Sequence, residues 1–250
     1  MKRHSYIPPI LFVFTIFILS CSSSYQSQSL AYKNYRVTPQ GKEDPSLQEV
    51  IKPYSDSVNK SMNDVVGVAE KSLEKKTLES TLGNFMVDAF FIMAKEKYNV
   101  QVDGAIMNYG GIRLTQLPAG NVTRGKVFEL MPFDNLLILQ KMKGDVLQQL
   151  LDLTAAMGGW PVAGLSMQIK DKKAVNVLIG GKALDPQKIY TIANSDFLAN
   201  GGDNADMLRP IAQITNGYLM RDALFDYIKW LKSQGKNIIA NEEKRVSNAQ

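Results

Sequence analysis

Between residues 46 and 238 the sequence predicts one α/β (α+β) domain, a mixed sheet with packed helices. Helical and strand patterns alternate as far as residue 157, strands cluster from Leu165 to Ala193, and an amphipathic segment from Tyr218 to Lys232 closes the run. A chain of 250 residues, 45% hydrophobic and 21% charged, has the composition of a globular protein able to bury a core.

The N-terminus reads as a processed segment. Lys2-Arg3 precede an apolar run from Ile7 to Leu19, and Leu19-Ser20-Cys21 follows as a small-residue cleavage site. That run is shorter than the roughly 20 residues a permanent span requires. The chain's only cysteine stands at the cleavage position, which resembles a bacterial lipoprotein signal in which Cys21 becomes the lipidated first residue; the plainer alternative is a secretory peptide with a stray cysteine. Residues 1–20 are therefore expected to be removed and Cys21 to anchor the protein to a membrane, leaving no thiol for a disulfide or for catalysis. Loss of Lys2 and Arg3 lowers the net charge from +5 to +3. No basic stripe interleaved with aromatics accompanies it, so nucleic acid is not an expected partner.

Residues 21–45, rich in Ser, Gln, Lys and Tyr, read as a tether. Leu47, Val50, Ile51, Tyr54 and Val58 then recur at helical spacing, with Pro53 as a kink or limit, and Val65 to Ala69 suits a strand. Ser80 caps a helix whose apolar face is Leu82, Phe85, Met86, Ala89, Phe90 and Met93. Gly83 and Asn84 are poor formers in its first turn, which suggests close packing and a hydrogen bond into the next loop. A strand from Val100 to Met107 opens into the polar turn Asn108-Tyr109-Gly110-Gly111-Ile112-Arg113. Gly120-Asn121 reads as a turn, Thr123 caps a short helix over Val127 and Leu130, and Pro132-Phe133-Asp134-Asn135 leads into a strand from Leu136 to Met142. A helix over 144–157 and a loop at 158–161 precede three strands, 165–170, 174–179 and 189–193, with Gly180-Gly181 as a hairpin turn. Residues 239–250 are expected to form a loose polar tail.

The chemistry begins with what is missing. The single histidine, His4, belongs to the segment expected to be cleaved, so no histidine remains to ligate metal or act as a base. Neither a nucleophile elbow nor a phosphate-binding glycine loop is present, and no catalytic residue is assigned. What remains is recognition. Arg113 offers a rigid fork to phosphate or carboxylate, or else a surface ion pair; Asn108 offers a donor and an acceptor, or else caps a turn. Phe133 and Phe197 are aromatics at loop entries that serve either a ligand or the core. Gly201-Gly202 permit positive φ and close approach, and Asp203 either accepts a hydrogen bond from a ligand or caps the next turn.

Taken together, Asn108 to Arg113, Pro132 to Asn135 and Phe197 to Asp203 resemble, in order and separation, the C-terminal substrate-binding domain of the secreted 5'-nucleotidases. Glu79-Ser80-Thr81-Leu82-Gly83-Asn84 is similar to that family's entry, and the likeness covers residues 46 to 235. The resemblance implies that Phe133 and Phe197 sandwich a nucleobase, that Asp203 contacts ribose hydroxyls, that Asn108 contacts or positions the base, and that Arg113 orients the substrate. Asn135, Gly201 and Gly202 fall in the same motifs and are counted with the substrate-binding set. The expected ligand is a nucleoside or nucleoside monophosphate.

Three departures accompany the likeness. The family's metallophosphoesterase domain, which holds two metal ions, has no counterpart in this sequence. A family arginine before the Glu79 stretch has only Lys75, Lys76 or Leu78 near its place. Pro-Phe-Gly-Asn reads Pro-Phe-Asp-Asn, which sets Asp134 where a small residue is usual. The expectation is a nucleotide-binding half of a split 5'-nucleotidase, with no cofactor of its own, whose divalent metals and hydrolytic step belong to a separately encoded metallophosphoesterase. The alternatives are a non-catalytic nucleoside-binding lipoprotein or a scaffold that has lost the pocket.

Overall fold

The computed structural model describes residue 32 and residues 44–249. The segment over 1–20 expected to be cleaved, His4, Cys21 and most of the predicted tether lie outside the described residues. The chain divides into a unit ending at Gln48 and one running from Glu49 to Gln250. In the first, Asp44 Oδ1 accepts from the amide and the hydroxyl of Ser46 and so caps α1 (Pro45–Met62). The elements that build the candidate site belong to the second.

The predicted α1 forms and carries Pro53 inside it, yet none of its residues is buried; Val50, Ile51, Tyr54 and Val58 remain exposed. After it, β1 (Val65–Ala69) pairs antiparallel with β5 (Gly120–Thr123), and β2 (Leu73–Glu74) with β4 (Gln116–Leu117). Gly120-Asn121, expected as a turn, is the start of β5, and Thr123 caps α3 (Arg124–Leu130) by accepting from the Lys126 amide. The strand expected over 100–107 narrows to β3 (Gly104–Ile106).

Helix α2 (Thr81–Tyr98) starts where Ser80 Oγ accepts from the Gly83 amide and ends at Asn99 in the left-handed region. All six predicted face residues are buried. Gly83 is required by packing, because a Cβ there would stand 2.6 Å from Pro161 Cγ. Asn84 points elsewhere than expected: its Nδ2 donates to Glu79 Oε1 and to Asn241 O, both at 2.8 Å.

The central sheet has the order β12 (Gln213–Ile214), β6 (Leu137–Lys143), β11 (Ile189–Ser195), β3, β7 (Val162–Ala163). Strand β11 runs parallel to β3 and antiparallel to β6. Successive side chains alternate between faces. Leu137, Leu139, Ala193, Ala105 and Ala163 join one core with α2 and α6 (Met220–Ser233). Ile106, Met142, Tyr190, Ile192 and Val162 join a second core with α4 (Gly144–Ala156). Burial on both faces explains why 136–139 reads as an unbroken apolar run. A second sheet, β10 (Lys182–Ala183), β9 (Lys173–Ile179), β8 (Leu165–Lys170), β13 (Val246–Asn248), lies against α4 through β9.

Strand β13 corrects the expectation of a loose tail. It pairs parallel with β8, Ile238 and Val246 are buried, and Arg245 grips Asp88 of α2 with contacts of 2.6 and 3.0 Å. Two isolated apolar residues and one arginine do this, too few to leave a period in the sequence. Among the described residues no helix is long and apolar enough to cross a membrane.

Topology places the polar turns together. Because β3 and β11 are parallel, both leave the sheet at the same end, and antiparallel β6 enters there, with Ala193 opposite Ala105 and Ser195 opposite Leu137. The segments after Ile106, after Ser195 and before Leu137 therefore meet, at the carboxyl ends of two parallel strands where α/β sheets commonly hold ligands.

Candidate functional site

The three segments enclose an open cavity of about 240 Å³. From the sequence-predicted set, Asn108, Arg113, Phe133, Asn135, Phe197 and Asp203 line it. Its floor is apolar: Met131 precedes the Phe133 loop and Met220 begins α6, and both are buried.

The first segment forms a short 3₁₀ turn over Tyr109–Gly111. Asn108, only 7% exposed, directs Nδ2 to Asp203 Oδ2 at 2.5 Å. Arg113 holds its guanidinium 5.4 Å from the Phe133 ring centroid, a cation–π distance, and reaches Gly110 O at 3.4 Å. Lys75 donates to Ile112 O at 2.8 Å. Burial, and then the charge of Arg113, lower its pKa from the usual lysine value. Lys75 thus stands beside Arg113 as a second cation, whereas Lys76 pairs with Glu74 and Glu242 at the surface.

Phe133 and Phe197 are 40% and 43% exposed, although large aromatics usually bury their faces. The Phe133 loop is held from behind by Arg221, only 8% exposed on the buried face of α6. Its Nη1 donates to Phe133 O at 3.1 Å, its Nη2 to Asp134 Oδ1 at 2.5 Å, and the guanidinium lies 4.4 Å from the Phe128 ring centroid. Asp134, an unexpected carboxylate at this place, is thereby the counter-charge of Arg221. Asn135 turns its amide to Asp196 Oδ1 at 3.0 Å.

The third segment begins with Ser195 capping α5 (Asp196–Ala199), its Oγ accepting from the Leu198 amide. Gly201 and Gly202, expected in the binding set, do not line the cavity. Gly201 has φ +84°, and a Cβ on Gly202 would lie 2.4 to 2.6 Å from three atoms of the Phe197 ring. Gly202 therefore makes room for the ring, whereas a Cβ on Gly201 would meet the Arg209 guanidinium. Asp203 follows at φ 52°, ψ 35°, a left-handed conformation that costs a non-glycine residue on the order of 1 kcal/mol. Its bond to Asn108 accompanies that strain.

Asp196 and Arg221 escaped the sequence reading. Arg221 left a signal: it shares a helix face with Leu224 and Ile228, where a charge demands a partner. Asp196 left none beyond its place before Phe197. Among the described residues no three His, Cys, Asp or Glu gather to hold a metal ion, and the cavity's donor set of amides, one guanidinium and one paired carboxylate does not fit one. The arrangement offers two exposed aromatic faces, a cationic rim and a held carboxylate.

Comparison with known proteins gives this geometry its context. The family model described as "5'-nucleotidase, C-terminal domain" matches residues 63–210. Protein UshA of Yersinia enterocolitica is 29% identical over 197 residues, covering 75% of this chain and 35% of that protein. A 5'-nucleotidase of Vibrio cholerae is 28% identical over 206 residues, covering 77% and 35%. The chain thus spans about a third of the length of these curated relatives. Among solved structures, the 5'-nucleotidase precursor of Thermus thermophilus superposes with a TM-score of 0.71 at 26% identity, over 83% of this chain and 44% of that one. The Haemophilus influenzae NAD nucleotidase shares the fold, with a TM-score of 0.61 at 20% identity over 83% of this chain and 42% of that one.

Proposed function

Because this chain belongs to the 5'-nucleotidase C-terminal domain family, we propose that it is the nucleoside- or nucleotide-binding half of a split 5'-nucleotidase acting in nucleotide catabolism. The observation that carries the reading is the convergence of Phe133, Phe197, Asn108, Asp203 and Arg113, from three segments, around one cavity. Phe133 and Phe197 stack on the two faces of the base, which tolerates any base because each has a π-face. Asp203, held by Asn108, accepts from the ribose hydroxyls. Arg113, with Lys75 beside it, meets the phosphate side of the ligand.

The match to these relatives covers about a third of their length. Hydrolysis and its divalent metals are assigned to a separately encoded metallophosphoesterase. Residues 1–20 export the protein and lipidated Cys21 anchors it in the cell envelope.

Calorimetry with adenosine and AMP tests the binding, and hydrolysis of AMP after addition of the phosphoesterase chain and divalent metal tests the partnership. Binding together with hydrolysis only in the mixture is the expected result. Hydrolysis by this chain alone with metal would overturn the split; binding with no gain of hydrolysis would make it a capture protein instead.

A further inference from the structure

One carboxylate oxygen ties together the two loops that present the phenylalanines. Asp196 Oδ1 accepts from Asn135 Nδ2 at 3.0 Å, from the Leu136 amide at 3.0 Å and from the Phe197 amide at 2.9 Å. Asp196 also donates its own amide to Leu136 O at 3.1 Å, so the two segments exchange bonds in both directions. The Phe133 loop is stitched at its other points to α6: Met220 N donates to Asn135 O, and Arg221 to Phe133 O. Within that frame Asp196 is the side chain through which the two loops are joined.

We propose that Asp196 is a positioning residue, which fixes the separation and angle of Phe133 and Phe197 and so sets what thickness of ring the cavity accepts. Three observations support it. Asp196 does not line the cavity, so its role runs through its neighbours. Asn135, which does line it, spends its amide on Asp196 and orients the loop with it. Finally, an ionised oxygen taking three donors makes charge-assisted bonds, stronger and more directional than those of a hydroxyl or amide acceptor. Rigid supports behind a binding group are what hold it to the fraction of an ångström that stacking requires. The consequence for affinity rests on the nucleoside-binding reading above; the coupling of the loops does not.

The test therefore has an arm without ligand. Amide hydrogen exchange, followed by NMR on the full chain, reads the Leu136 and Phe197 amides in the wild type and in Asp196→Ala. Both should exchange faster together by about tenfold, the loss of a hydrogen bond to a charged acceptor. Acceleration at Phe197 alone would reduce Asp196 to a local cap of α5 and overturn the proposal. Should Asp196→Ala fail to fold, Asp196→Asn keeps the shape and removes the charge, and the same paired acceleration, smaller in size, is expected.

In the second arm, adenosine affinity is measured in Asp196→Ala, Phe133→Ala and the double variant. If Asp196 acts through the ring, Asp196→Ala weakens binding about tenfold, and the double variant is no weaker than Phe133→Ala alone. Independent, additive losses would overturn the positioning role. A wild type that binds no nucleoside would sink the functional reading while leaving the exchange result to judge Asp196.

Discussion

Asn108 and Asp203 lie 95 positions apart in sequence, and the Nδ2–H of the first donates to Oδ2 of the second at 2.5 Å. This bond leaves the carboxylate further acceptor capacity on the cavity side and joins the first and third segments. A residue at φ 52° is costly to keep, so its side chain is expected to serve the ligand. In Asp203→Asn, adenosine affinity should fall about tenfold, the difference between a charged and a neutral acceptor. Affinity for 2',3'-dideoxyadenosine should not change. Stability should stay within about 0.5 kcal/mol, since asparagine also accepts left-handed backbone. Equal losses for both nucleosides in calorimetry would remove Asp203 from the ribose.

Phe197 is 43% exposed and backed by Gly202. Phe197→Ala should weaken nucleoside binding by about 1–3 kcal/mol with little change in Tm. Gly202→Ala should do nearly the same by another route, because its methyl displaces the ring. A Gly202→Ala protein that binds adenosine like the wild type would show that the ring's placement is irrelevant.

Arg221 is the buried cation behind Phe133. Arg221→Met removes the partner of Asp134 and two carbonyl contacts, to Phe133 O and Met131 O. Leaving buried carbonyls unpaired should cost about 2–4 kcal/mol in urea unfolding. Asp134→Asn, at a side chain 78% exposed, should cost less than about 1 kcal/mol. A reversal of that order would mean that the ion pair, not the carbonyl contacts, holds the loop.

The tie between α2 and α6 predicts an acid response. Burial raises the Asp226 pKa, but hydrogen bonds from Lys97 at 2.7 Å and Tyr218 at 2.8 Å outweigh it and leave the carboxyl below the usual aspartate value. Its contribution is therefore full above the unfolded value, about pH 4, and is lost as pH falls through the lower folded value. The pair is more than a third exposed, so the contribution is under about 1 kcal/mol. Asp226→Asn should be slightly less stable at pH 7 and indistinguishable from wild type near pH 2, as read by denaturant titration.

The sequence carried the long elements because their periods were clean. The α2 face, the α4 run and the strands 165–170 and 174–179 needed no tertiary information. Strands of two residues, β2, β4, β7, β10 and β12, exist only by pairing, and two residues hold no period. The cavity residues were legible as polar turns at strand ends, yet their supports were not. Asp196 and Arg221 act across 60 and 88 positions, and a bond of that span leaves no local mark.

The clasp at Asn84 bears on how the molecule is made. Glu79 Oε1 receives both Asn84 Nδ2 and the Glu243 amide, while Asp88 receives Arg245, so the front of α2 is completed by residues about 160 positions further on. Contacts of that separation close late, after loop entropy has been spent. During synthesis the long helix therefore emerges with its first turns unfinished and stays so until that later stretch arrives. A ribosome stalled before residue 241 would hold a helix with no clasp, and protease protection of α2 on stalled chains of increasing length should rise only once that stretch has cleared the exit tunnel.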